Sequence, residues 1–183
     1  MPKPFMQPWR LLASRLVFEH PWLRVFEDTV ELPSGTRLQW LRIPHERDTV
    51  QVICVDDEER VLVGYQYNHP PGRVVDEFPG GGVGPDEEYE AAARRELLEE
   101  TGVYARQVRQ IGAFLVHNRR SGIQCRVFVA TDLEQRTATP EEGEATLVEW
   151  VPLAEMDARI RAGEIENGIL LAAWSIFRAS QGV

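Results

Sequence analysis

Apolar positions along this chain fall mostly into short runs of β-branched and aromatic residues, separated by polar or Gly/Pro-rich breaks. Between residues 14 and 43 the pattern is a meander. LVF is followed by WLRVFEDTVEL, then by the turn Pro33-Ser34-Gly35, then by TRLQWLRI. A Pro-Ser-Gly turn between two stretches of β composition signals a hairpin. An isolated hairpin is marginal in water, so this unit must pack on something else, either the rest of the chain or a second subunit. Residues 45–48 are a polar break. Runs at 49–55 and 61–67 read as strands around the acidic turn at 56–59, and 74–78 is a short strand ending in Pro79-Gly80-Gly81-Gly82. Further strands are expected at 108–116, 123–131 and 146–151, with a longer acidic loop at 133–145.

Helical patterning is confined to three places. Residues 152–162 and 166–179 form two helices with Gly163 between them. The third helix follows Pro85-Asp86, with Asp86 the expected N-cap, and runs to about Thr101, where Gly102 stops it. Leu97 and Leu98 anchor this helix, and the small Ala92 and Ala93 leave room above its carboxylates. Strands and helices mix without strict alternation, which predicts an α/β (α+β) fold. Its mixed β-sheet is sandwiched between helices, with a small antiparallel β unit at the N-terminus. The expected division is residues 1–46 for that unit and 47–183 for the main domain, with residues 1–8 a loose arm.

The third helix carries an unusual concentration of charge. Glu96, Glu99 and Glu100 share one face at i, i+3 and i+4, where like charges cost about 0.2–0.5 kcal/mol per pair in an isolated helix. Arg95 and Glu99 form an i, i+4 pair. Hard divalent cations take oxygen ligands, which gives such a cluster a reason to exist. Four glycines between positions 80 and 84 leave the preceding backbone free to approach a ligand.

Composition narrows the classes. The chain has 183 residues, 43% hydrophobic and 27% charged, as for a soluble protein with a core of ordinary size. Its net charge of −9 argues against broad nucleic-acid binding, which depends on Lys and Arg neutralising phosphates. A small phosphate substrate is compatible with that charge, because bound metal ions reverse the local sign. Cys54 and Cys125 lie in apolar runs and read as buried strand thiols. No apolar run reaches membrane-spanning length, and MPKPFMQPWR lacks the apolar core of a signal peptide, so the expected location is cytoplasmic.

The stretch GGVGPDEEYEAAARRELLEETGV, residues 81–103, resembles the signature of the Nudix hydrolases at every defined position: Gly81, Glu87, Arg95-Glu96-Leu97, Glu99-Glu100 and Gly102. The resemblance implies a loop–helix–loop that binds Mg²⁺ (or Mn²⁺) and cleaves a nucleoside diphosphate linked to another group. Carried over by position, Glu96, Glu100 and the carbonyl of Gly80 are metal ligands. Glu99 is an accessory group, and Arg95 orients the acidic cluster. Glu87 is open between a structural role and a direct one. Metal ions on a diphosphate neutralise its charge and activate water, and a carboxylate takes the water's proton, so no Ser, Cys or His nucleophile is required.

Beyond the signature, the order of elements resembles the ADP-ribose pyrophosphatase / nucleoside diphosphate sugar hydrolase branch. The residues that carry this are the β-rich N-terminal unit, Gln66-Tyr67, Glu77-Phe78-Pro79-Gly80-Gly81, the acidic loop at 141–144 and Gly163-Glu164-Ile165-Glu166-Asn167. That likeness implies Glu142 as general base and Glu144 as a further metal ligand, with the two roles exchangeable. It also implies a homodimer through the N-terminal unit, whose Trp22 and Trp40 hold the base of the nucleotide. Glu77 meets a ribose hydroxyl or a metal-bound water. The chain departs from the branch at Asn68, where an Arg usually meets phosphate. It departs again at 117–122, His117-Asn118-Arg119-Arg120-Ser121-Gly122, where a Ser-Pro-Gly-like turn is usual. Arg119 or Arg120 then supplies the phosphate contact. His117 is open between substrate contact and a structural hydrogen bond. ADP-ribose leads as substrate; GDP-mannose, a dinucleoside polyphosphate or a coenzyme, and a nucleotide-sensing module without activity, stay open.

Overall fold

The structure, a computed structural model, describes residues 7–138 and 147–182. Within them the chain divides into two compact units. One runs up to Glu46 and includes Leu115–Ile123; the other holds Arg47–Phe114 and the described residues from Gln124 onward.

The first unit is a three-stranded antiparallel sheet of β1 (Arg10–His20), β2 (Leu23–Glu31) and β3 (Arg37–Arg42), in that spatial order. The turn between β2 and β3 falls where the Pro-Ser-Gly signal puts it. Gly35 takes φ +83° and donates its N–H to Leu32 O. β1 starts earlier than its pattern suggests and carries two bulges, at Leu11/Ala13 and Leu16/Phe18. Bulges are a common way of blunting an edge strand. Every residue of β1 is exposed. Asp28 is the unit's buried charge: Arg42 Nε donates to its Oδ2 at 2.6 Å and Ser14 Oγ to its Oδ1 at 2.6 Å.

The second unit contains two three-stranded sheets. One has the order β4 (Thr49–Cys54), β8 (Gln124–Gln135), β7 (Val103–Leu115), with β4 and β8 parallel. The other has β5 (Arg60–Asn68) between β6 (Arg73–Glu77) and β9 (Leu147–Pro152), antiparallel to both. The three helices are α1 (Tyr89–Thr101), α2 (Leu153–Ala162) and α3 (Gly168–Ser180).

Alternation along β4 sends successive side chains to two cores. Val50, Val52 and Cys54 pack with Ala92, Ala93 and Leu97 of α1. Ile53 packs with Val61, Val63, Phe78, Val127 and the α2/α3 residues Met156, Leu170, Trp174 and Phe177. A sheet with helices on both faces, as expected, is the outcome. Both cysteines are free and buried, and burial pushes the Cys54 thiol up to about 12 and the Cys125 thiol to about 11. No helix among the described residues is long and apolar enough to cross a membrane.

Two expectations about α1 need correction. Asp86 does not cap it. Asp86 sits at φ +59° within a turn, and the helix begins three residues later, at Tyr89, after Glu88. Ala92 and Ala93 do not leave space above the carboxylates. They are fully buried against β4, where their small size lets helix and sheet approach closely. Gly102 does end the helix. It takes φ +70° and donates to Leu98 O, and a Cβ there would stand 2.6 Å from Arg136 O.

Candidate active site

The segment between β6 and α1 runs along the free edge of β4. Val52 N–H donates to Pro79 O at 2.8 Å, Val50 N–H to Gly81 O at 2.9 Å, and Val83 N–H to Asp48 O at 3.1 Å. At Gly80 the approach is so close that a Cβ would lie 2.1 Å from Val50 O, so no other residue fits that position. At Gly81 the obstacle is functional: a Cβ would stand 2.7 Å from Cδ and Oε1 of Glu96. The Glu96 carboxylate, largely buried, therefore lies directly against bare backbone.

Arg95 organises the acidic groups around this loop. Its Nη1 donates to Glu96 Oε1 at 2.8 Å and to Glu99 Oε2 at 3.0 Å. Its Nε donates to Glu87 Oε1 at 2.9 Å, and its Nη2 to Glu87 Oε2 and to Gly82 O, both at 3.0 Å. One guanidinium thus offsets three carboxylates and ties the helix to the loop, which a planar five-donor group is shaped to do. Glu87 also accepts from Gly84 N at 2.7 Å, and its carboxyl is held below the usual range, chiefly by Arg95. Its position is that of a brace between loop and helix. The Glu100 carboxylate reaches the loop as well, accepting from Gly80 N at 3.2 Å.

Gly80, Glu96, Glu99, Glu100 and Arg95 are thus drawn into one cluster of oxygen donors around a guanidinium. Arg95 and the Gly80 amide are among the partners of these carboxylates. Among the described residues no three His, Cys, Asp or Glu side chains stand in metal-holding geometry. Glu142 and Glu144 lie outside the described residues.

Glu77, at the end of β6, accepts from Asn68 Nδ2 at 2.6 Å, and burial pushes its carboxyl above the ordinary value. Asn68, the departure from the branch's usual arginine, therefore has its amide on a carboxylate. In the first unit Trp40 donates Nε1–H to Arg119 O at 3.1 Å. The Arg120 guanidinium stands 5.6 Å from its ring centroid, and the edge of Trp9 meets it at 5.5 Å. Trp40, Arg119 and Arg120 are brought together. Trp22 sits at the turn between β1 and β2 and is 88% exposed.

One participant is invisible in the local pattern. Asp48, part of the polar break at 45–48, is buried and receives hydrogen bonds from Tyr89 on α1 and from the start of β8. Those partners lie 41 and 76 positions away, beyond the reach of any periodicity.

The chain matches the NUDIX domain over residues 45–172 and the nucleoside diphosphate sugar hydrolase N-terminal domain over residues 9–40. It is 30% identical over 149 residues to an ADP-ribose pyrophosphatase of Bacillus subtilis (strain 168), covering 81% of this chain and 80% of that protein. It is 32% identical over 149 residues to an ADP-ribose pyrophosphatase of Mycobacterium tuberculosis (strain ATCC 25618 / H37Rv), covering 79% and 71%. A crystal structure of an ADP compounds hydrolase shares the fold with a TM-score of 0.88 at 21% identity, over 97% of this chain and 96% of that one. The loop–helix cluster built on Gly80, Arg95, Glu96 and Glu100 is thus carried by a domain match over most of the chain, and this chain belongs to the Nudix hydrolase family.

Proposed function

We propose that this enzyme hydrolyses the diphosphate linkage of ADP-ribose or a related nucleoside diphosphate sugar, giving a nucleoside monophosphate and a sugar phosphate. The observation that carries the reading is the Glu96 carboxylate lying against the side-chain-free backbone of Gly81, with Glu100 on the Gly80 amide. The names of the two relatives point to the same substrate.

The donor set fits a hard divalent cation, Mg²⁺ or Mn²⁺: two carboxylates and a carbonyl, with space kept by glycine. Glu96, Glu100 and the Gly80 carbonyl would hold it, joined by Glu144. A cation held there supplies positive charge against the diphosphate and eases deprotonation of the attacking water. The chain's own groups do the rest. Arg95 keeps Glu96 and Glu99 in place, Glu99 supports the ligands, and Glu142 accepts the proton from water. Glu77 accepts a hydrogen bond from a ribose hydroxyl, Arg119 or Arg120 meets phosphate, and Trp22 and Trp40 hold the base. Residues 1–46 serve dimerisation and substrate binding, with hydrolysis in 47–183. The exposed Trp22, Phe18 and Leu16 of the first unit support a homodimer, because large apolar side chains left exposed in one chain are what a second copy covers. A cytoplasmic location belongs to the same proposal.

Metal-dependent release of AMP and ribose 5-phosphate from ADP-ribose is the direct test. No turnover of any member of a nucleoside diphosphate panel with Mg²⁺ or Mn²⁺ would sink the reading. A second substrate reading rests on Asn68, which stands where related enzymes usually carry a phosphate-binding arginine and donates its amide to Glu77. It favours a related nucleotide, such as GDP-mannose, a dinucleoside polyphosphate or a coenzyme. Competition kinetics decide between them, and a strong preference for ADP-ribose counts against the second.

A further inference from the structure

We infer that Asp48 is a positioning residue for the reaction, the pin that holds loop and helix of the site in register; the inference rests on Glu96 and Glu100 being the cation ligands. Both halves of the site meet at this residue. Its backbone carbonyl accepts from Val83 N at 3.1 Å, and in the two residues that follow Thr49 bridges to Gly82 and Val50 N–H donates to Gly81 O. Its carboxylate accepts from Tyr89 Oη, on the first residue of α1, at 2.9 Å. It accepts also from Gln124 N at 3.0 Å and from Arg126 Nη2 at 3.4 Å, both on β8.

The Asp48 side chain is 5% exposed. Burying a carboxylate this deeply is costly unless it is paired and hydrogen-bonded, as Asp48 is. The Arg126 guanidinium lies 4.1 Å from the centroid of the Tyr89 ring, so the cation that balances Asp48 also clamps the tyrosine that donates to it. Arg126 Nε, buried, has no hydrogen-bond partner among the described residues, so the guanidinium meets this site through its Asp48 contact and the ring face. Loop and helix leave no slack between them, because Gly81 and the Glu96 carboxylate are already in van der Waals contact. A small slip of α1 against the loop therefore moves Glu96 relative to Gly80, and misplacement of about 1 Å costs a reacting geometry on the order of a hundredfold.

The test compares Asp48→Asn and Tyr89→Phe with the parent enzyme. Asparagine keeps an acceptor for Gln124 N, and phenylalanine keeps the ring under Arg126, so both variants retain the packing. Each is measured for Mn²⁺ affinity by calorimetry, for kcat and KM separately, and for Tm. The expected result is Mn²⁺ binding weakened about tenfold and kcat lowered by a similar factor, with KM little changed. A fall in Tm with Mn²⁺ affinity and kcat unchanged overturns the inference and leaves Asp48 a merely structural residue. Glu96→Gln in the same titration separates the two layers. If it binds Mn²⁺ as the parent does, the ligand reading fails and the inference goes with it. If it loses Mn²⁺ while the Asp48 and Tyr89 variants bind normally, the inference alone fails.

Discussion

The loop–helix around Gly80 and the β1–β3 sheet solve opposite problems. In the first, charge is closed in on itself: Arg95 meets Glu87, Glu96 and Glu99, and the loop backbone hydrogen-bonds along the edge of β4. In the second, apolar surface is left open, with Trp22, Phe18 and Leu11 half or more exposed. In the first region the charged groups pair with one another among the described residues. The second has large apolar side chains exposed to solvent, the kind of patch that commonly marks an interaction surface. The contrast separates two tasks. On the proposed reading, cleavage falls to the first region and choice of substrate to the second.

The sharpest way to break that comparison is at the ligands. Glu96→Gln or Glu100→Gln should lower kcat about a hundred- to a thousandfold with the fold intact by circular dichroism, because charge is lost from a site and not from a core. A near-normal rate in either variant would remove the assignment. Next in size is Gly81→Ala. Its methyl group displaces the flexible end of Glu96, and kcat should fall on the order of a hundredfold through misplacement alone. Retained activity would show that the Glu96–Gly81 contact is incidental.

On the other side of the comparison, Trp22→Ala should raise KM about tenfold at constant kcat, the loss expected of an aromatic anchor in a contact surface. An unchanged KM would make it a residue without a substrate role. The smallest effect concerns Asp28, whose carboxyl Arg42 holds below the usual range. A depressed folded pKa gives stability that is complete above the unfolded value, about 3.9, and is lost as pH falls through the folded one. Arg42→Gln should therefore cost about 1 kcal/mol at neutral pH, Arg42 being partly solvated, and flatten that acid dependence in urea melts.

The loop–helix was legible because its determinants are close in sequence. Gly81, Arg95, Glu96, Glu99 and Glu100 declare their spacing within twenty residues. The Arg95–Glu99 pair and the Gly102 stop follow from helix geometry alone. Asp86 misled because Asp is a good N-cap and also tolerates the left-handed turn it occupies here. Ala92 and Ala93 misled because small size serves close packing as well as open space, and only the neighbouring strand decides between them. Asp48 and the Trp40–Arg119 bond were out of reach, since their partners come from distant segments that only the folded chain assembles.

One contact at the far end of α1 has a mechanical side. Gly102 O accepts from Arg136 N at 2.6 Å, so the strand leaving the sheet is stapled to the helix end that bears Glu100. The glycine that stops the helix is also the post to which the end of β8 is tied.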